Sequence, residues 1–450
     1  MKCAPPRQSA VITGVGAVSA FGVGLPALFD GLRAGRSAIG PINWFDASAF
    51  PTRVAGEVAT EVHDGGVSHA WLQRALPPQQ LPQTLPTTLA HYAALGAWRD
   101  RKTVFGLLAA LEAWQMAGMS LETNPDNIGL VIALGLEQGF LQDFGPRFAA
   151  HPPAPAIDWQ SAPPRPGIVF RSEVDLCAQL LSDLLPLRGP TRINVSACAA
   201  GGLALAQAAS LIERGAASVV LCGAADSMLN PLGLGGMSRL GAPSPRNTFD
   251  ACRPFDSRRD GLVIGEGAAM FVLEAQSHAQ ARGAQVLARV LGYGSTQDAY
   301  RATAPRPDGA AAQRAMQQAL AHARLPAGAV GYINAHGTGT PLNDVAESRA
   351  IAAVFGDGEH AQSSPPVSSI KGAVGHLMAA SGALEAASCL LPLLHDVLPG
   401  TAHHQQTDPQ CRINVIGEQP MVCQPGSVQV VLSNSFGFGG QNAALLLGRA

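Results

Sequence analysis

Apolar residues in this chain fall in short blocks, most of them closed by glycine. Ala10 to Gly16 (AVITGVG), Ile128 to Gly135 (IGLVIALG) and Ser218 to Gly223 (SVVLCG) are near-continuous apolar runs too short for helices. They predict strands buried on both faces. Val104 to Gly118 instead carries Leu107, Leu108 and Leu111 on one side before a glycine stop, which predicts a helix. In Gly189 to Gly215 the pattern switches within one segment: Arg192 to Ser196 predicts a short buried strand, a sharp turn follows, and from Ala199 a helix runs until Gly215 closes it. Arg253 to Glu274 predicts a polar turn feeding another strand. Alternating strand and helix predicts a parallel-rich sheet covered on both faces, with chemistry in the loops at strand ends.

The second half repeats this plan through Ala288 to Gly294, Val330 to Ala335, Val367 to Ile370 and Val428 to Leu432. An internal duplication is expected, divided after Glu274 into residues 1–274 and 275–450, with the two halves stacked around central helices. Residues 60–100, with the proline-rich Leu76 to Pro86, predict irregular surface structure, and Leu136 to Phe170 a lid, a pocket wall or a plain surface excursion. Gly14 and Gly16 begin a GxG, but Ser19 stands where a dinucleotide fingerprint needs its third glycine, so a tight turn after the first strand is expected. The apolar run Ala383 to Leu398 contains Glu385, Pro392, His395 and Asp396, which suits a core helix better than a lipid-facing one.

Composition narrows the class. With 450 residues, 47% hydrophobic, 14% charged and 50 glycines, the chain can bury a large core and turn tightly many times. Thirty basic against 32 acidic residues leave a net charge of -2, which gives no general attraction for nucleic acid or anionic membrane. Eight scattered cysteines without a CxxC pair or a zinc-like cluster predict reduced thiols and no metal, and no signal peptide is legible at the start, so a cytoplasmic protein is expected.

Cys198 falls at the predicted turn, where free N–H groups and the helix dipole favour thiolate, and small neighbours such as Gly201 and Gly202 leave room for a substrate. An ordinary buried thiol is the competing reading, so its partners must decide. Three segments of the second half supply them. Asn334 to Pro341 (NAHGTGTP) puts His336 at a strand end among glycines; Ser369 to His376 (SIKGAVGH) follows a strand with Lys371 and His376. Ser433 to Asn442 (SNSFGFGGQN) has glycines for close backbone approach and Phe436 and Phe438 to gate an apolar pocket.

SACAAG, RPFDSRRDGLVIGEGAA, NAHGTGTPLND, SIKGAVGHLMAASG and SNSFGFGGQN, in this order, resemble the elongating β-ketoacyl-acyl carrier protein synthases of the thiolase superfamily, from Val11 to Leu447. The resemblance implies an α/β fold with two mixed sheets sandwiched with helices in five layers. It implies Cys198 as nucleophile, His336 and His376 as paired histidines, and Lys371 as supporting lysine with Glu347 as its acid. Phe438 is implied as gate and oxyanion-hole N–H donor, with Phe436 beside it, and Thr338, Thr340 and Gly439 as contacts to the substrate arm. The implied reaction is decarboxylative condensation of a cysteine-bound acyl group with malonyl carrier. It would use no cofactor beyond the carrier's own pantetheine arm, and involve an acyl carrier protein and a homodimer, or a heterodimer with a related subunit. Ala199 and Ala200 are plainer than the hydroxyl residues of many members, which leaves fatty acid and specialised polyketide or polyene substrates both open. A thiolase would need a second cysteine in SNSFGFGGQN, which has none, and a papain-like protease would show its own signature around Cys198. The alternative kept is a non-elongating partner subunit of the chain-length-factor kind, which typically lacks the nucleophile.

Overall fold

A computed structural model describes residues 8–63, 65–77, 82–121, 127–135, 175–356 and 364–450. In the first half, β1 (Ala10–Ser19), β2 (Ile128–Leu134), β3 (Thr191–Asn194), β4 (Val219–Ser227) and β5 (Glu266–Ala275) stand in the order β1-β5-β4-β2-β3. In the second, β6 (Ala288–Gln297), β7 (Tyr332–Asn334), β8 (Val367–Ser368), β9 (Val430–Gly437) and β10 (Gln441–Arg449) stand in the order β6-β10-β9-β7-β8. The two orders are the same permutation. Directions match as well: β2 is parallel to β3 and β4, and β7 to β8 and β9, while β4-β5-β1 and β9-β10-β6 run antiparallel. The sheets meet edge to edge over a short ladder, Ala10–Ile12 of β1 against Ala288–Val290 of β6.

Four helices complete the layers: α1 (Arg101–Met116), α2 (Ala200–Glu213), α3 (Ala310–Ala323) and α4 (Ser381–Ser388). α1 covers the outer face of the first sheet and α3 that of the second, while α2 and α4 pack on each other and on both sheets. Side-chain period decides which layer each strand residue joins. In β2, Ile128, Leu130, Ile132 and Leu134 enter the outer core beneath α1, and Val131 and Ala133 enter the central core around α2 and α4. Both faces are covered, so these strands are apolar throughout instead of alternating. The expected five-layer, duplicated α/β arrangement is the one observed.

Gly14 and Gly16 lie inside β1, not at a turn after it. A Cβ at Gly14 would stand 2.1 Å from the Ala113 carbonyl oxygen of α1, and one at Gly16 would stand 2.0 Å from that of Ala109. Gly292 and Gly294 of β6 meet Ala319 and Ala315 of α3 at 2.4 and 2.0 Å in the same way. The GxG is therefore where a helix crosses a strand closely, and the duplication repeats it.

Other expectations need correction. β3 is an edge strand with Ile193 39% exposed, because nothing described covers its outer side. Residues 60–100 include short helices over His69–Ala75 and Leu85–Ala94, which bury Leu72, Leu85, Leu89 and Tyr92 in the outer core. The expected lid over Leu136 to Phe170 lies outside the described residues. The apolar run near residue 390 breaks at Cys389 into α4 and a second helix, Leu390–His395; by composition Met378–His395 could cross a membrane, yet 89% of it is buried inside this fold.

Candidate active site

The turn between β3 and α2 is strained. Ala197 has φ 46°, a conformation that alanine adopts at a cost, and Ala197–Ala199 forms one 3-10 turn before α2 begins. Cys198 is thereby placed at the sheet's end, 8% exposed. Burial pushes its thiol up to about 11, against smaller lowering effects of the Phe438 backbone N–H, which approaches the sulfur, and of Lys371. The expectation of a thiolate favoured at the helix tip is not met: desolvation is the largest effect on the sulfur, and it favours the thiol. Gly201 and Gly202 also have a different reason than room for substrate. A Cβ on Gly201 would lie 2.5 Å from the Ala383 nitrogen and one on Gly382 2.6 Å from the Gly202 nitrogen, so Gly201 and Gly382 let α2 and α4 touch, while a Cβ on Gly202 would meet Ser435 Oγ of β9 at 3.3 Å.

From the second half, β7 delivers His336 and a turn beyond β8 delivers Lys371 and His376. The two imidazole rings are 5.3 Å apart, edge to face. Lys371 Nζ bonds the His336 carbonyl at 2.6 Å, sits 3.3 Å from His336 Nδ1 and pairs with Glu385 Oε1. Glu385, not Glu347, is thus the acid paired with Lys371. Glu347 is occupied elsewhere: its two oxygens accept the backbone N–H groups of His336 and Gly337 at 2.8 Å each, and Asn434 Nδ2 at 3.2 Å. Burial pushes Glu347 up to about 7 and raises Glu385 as well.

His376 has its main chain pinned by Val263 and Gly265, and its Nδ1 lies 2.8 Å from Ser381 Oγ and accepts the Met378 N–H at 3.0 Å. Burial first, then Lys371, holds both histidines well below the ordinary imidazole range. They are neutral, and each Nδ1 faces a donor, which leaves the proton on Nε2. Among the described residues neither Nε2 has a protein partner.

Cys198, His336, His376, Phe436 and Phe438 line one cavity of about 400 Å³, and Thr338 and Thr340 stand along it. The threonine hydroxyls bond each other at 2.8 Å, and Asp344, tied to the Thr338 and Phe255 N–H groups, holds their loop. Phe436 lies 5.8 Å from the His336 ring. Gly439 is outside the lining, because its N–H donates to Ala302 and its carbonyl accepts Gln297. Sequence reasoning missed Glu385, Ser381 and Asp226. The signal was there for the acids: each is a lone carboxylate in an otherwise apolar buried run, a place that demands a partner. Asp226 Oδ2 accepts the Ala379 N–H at 2.9 Å. Among the described residues no group of side chains is arranged to hold a metal.

Against known proteins, the chain matches the beta-ketoacyl synthase N-terminal domain over residues 97–279 and the beta-ketoacyl synthase C-terminal domain over residues 287–405. It is 35% identical to 3-oxoacyl-(acyl-carrier-protein) synthase 2 of Synechocystis sp., over 98% of this chain and 97% of that one. The ishigamide ketosynthase/chain length factor is similar in structure, with TM-score 0.80, 31% identity and coverage of 99% and 100% of the two chains. So is AntDE, a type II polyketide ketosynthase solved with its acyl-carrier protein AntF, with TM-score 0.77, 26% identity and coverage of 99% and 100%.

Proposed function

Because the chain belongs to the β-ketoacyl synthase family, we propose that it lengthens a carrier-bound acyl chain by decarboxylative condensation, with Cys198 as nucleophile and His336 and His376 as the pair that stabilises the enolate. The observation that carries this reading is the matched state of the two imidazoles: both neutral, both with Nδ1 facing a donor, both without a partner at Nε2 among the described residues, and both lining the cavity that Cys198 lines.

In the first step the Cys198 sulfur attacks the thioester carbon of an acyl carrier. A new C–S bond forms, the old one breaks, and the cysteine proton ends on the carrier's pantetheine sulfur. Splitting the reaction through an acyl-cysteine makes a second, easier attack possible. In the second step malonyl carrier loses carbon dioxide, and the electron pair left behind forms an enolate whose oxygen the two Nε2–H groups hold. The enolate carbon then attacks the acyl-cysteine; the charge moves to the acyl oxygen, facing the Cys198 and Phe438 N–H groups, and C–S cleavage returns the sulfur, which takes up a proton. Lys371, paired with Glu385, keeps the His336 tautomer by facing Nδ1 with a donor.

Thr338 and Thr340 would bond the carrier's pantetheine arm on its way in, and Phe436 and Phe438 would gate the acyl end. The division proposed after Glu274 gives the nucleophile to the first half and the histidines and lysine to the second. The described cysteines are all free, which suits a reducing, cytoplasmic setting. A non-elongating partner subunit fits less well, since that role has no use for a thiol in contact with an N–H donor. The test separates the steps by intact mass and carbon dioxide release. Cys198→Ala should end acyl transfer from carrier; His376→Ala should leave Cys198 acylation intact and cut decarboxylation by about two to three powers of ten. Wild-type condensation by the histidine variant would overturn its role.

A further inference from the structure

Asp226 is a buried acid that the reaction above does not use. It stands next to last in β4, in the first half, 2% exposed, and among the described residues only one of its oxygens is engaged by another element: Oδ2 accepts the Ala379 N–H at 2.9 Å, while Oδ1 is buried with no hydrogen-bond partner among them. Space for it is kept by Gly135, where a Cβ would stand 1.9 Å from Oδ1. Besides Ala379, the Ser227 N–H and the Lys102 charge act on this carboxyl, yet burying it remains costly when a serine or asparagine would cap the turn as well. The turn it caps explains the expense.

Residues Met378–Ala380 form the 3-10 turn that leads into α4, and Met378 is held at φ 50°, left-handed for a residue with a side chain. Met378 N–H is the donor to His376 Nδ1, and Ser381, just past the turn, places its hydroxyl on the same nitrogen. Both groups that fix the His376 tautomer and ring direction are thus set by a strained turn whose middle N–H is gripped from the other half of the molecule.

We propose that Asp226 is a positioning residue for decarboxylation, reaching across the two halves to hold the Met378–Ala380 turn and through it the aim of His376 Nε2–H. The role rests on the proposed function, and predicts a split between the two chemical steps. Asp226→Ala should lower carbon dioxide release from malonyl carrier about 10- to 100-fold, the cost of a misplaced catalytic group, while acylation of Cys198 from acyl carrier changes less than about threefold. Asp226→Asn, whose amide oxygen can still accept from Ala379, should recover most of the loss. In a His376→Ala background Asp226→Ala should add nothing. If the alanine variant does not fold, Asp226→Leu keeps the branched four-heavy-atom skeleton without an acceptor and serves in its place.

Equal loss in both steps, no rescue by asparagine, or a further tenfold fall in the His376→Ala background would overturn the role. Wild-type protein that acylates Cys198 but releases no carbon dioxide from malonyl carrier would overturn the proposed function itself, and this role with it.

Discussion

The sulfur of Cys198 rests protonated because the turn that presents it is dry. Phe438 N–H and Lys371 pull its affinity for the proton down, and burial pulls it further up. Its alkylation by iodoacetamide should therefore rise about tenfold per pH unit from pH 7 to pH 10, following the thiolate fraction; a plateau below pH 8 would show a thiolate at rest. Lys371 and its acid make a second test. Glu385→Ala leaves a buried ammonium facing His336 Nδ1 and should cost about 3–5 kcal/mol in urea unfolding, whereas Glu347→Ala strips acceptors from two backbone N–H groups and should cost about 1–3 kcal/mol for each. The motifs made Cys198, His336, His376 and Lys371 legible because each stands in a run of small residues, alanine around Cys198 and glycine around the others, that follows a strand. The lysine's partner was legible only in part: a lone Glu385 in an apolar run shows that it needs a partner, but which partner depends on how α4 lies against the turn carrying Lys371, and no spacing records that.

At the scale of elements, close approach explains what was read correctly and what was not. Strands β2, β4 and β5 are apolar on both faces and were recognisable from that alone, while the short helices of residues 60–100 bury single leucines within polar, proline-broken stretches whose period is too short to see. The same glycine pattern that suggested a turn at Gly14 and Gly16 is helix-on-strand contact, repeated in β6. Glycine matters most where α2 meets α4. A Cβ on Gly382 would stand 2.5 Å from Ser435 Oγ and 2.6 Å from the Gly202 nitrogen, with backbone on one side that cannot yield. Gly382→Ala should cost about 1–3 kcal/mol of stability by overpacking. It should also lower condensation more than it lowers Cys198 acylation, since it pushes α4, which carries Ser381 and Glu385, away from the helix behind the cysteine. Calorimetry and the two-step assay check the pair of effects together.

Across the whole molecule the two halves share a topology but treat their outer edges differently. In the second half, β8 is covered: Val367 N–H donates to Asn414 and its carbonyl accepts from Ile416, both at 2.8 Å, and Val367 is fully buried. In the first half, the equivalent β3 pairs only with β2 among the described residues, and Ile193 and Val195 are 39% and 49% exposed. An uncovered strand bearing β-branched residues is a template for pairing with another chain, and native proteins block such edges with charge or bulges unless they use them. Among the described residues nothing occupies this edge of β3, and the expected dimer is tested here. Because β3 runs into the turn that carries Cys198, its pairing also bears on the catalytic geometry. Ile193→Lys should convert the dimer to monomer in sedimentation at micromolar concentration and reduce Cys198 acylation with it, whereas Val422→Lys, at a 78% exposed position on a different face, should do neither. A stable wild-type monomer, or an Ile193→Lys dimer with full activity, would mean that this edge stays solvated and that the turn is rigid without a neighbour.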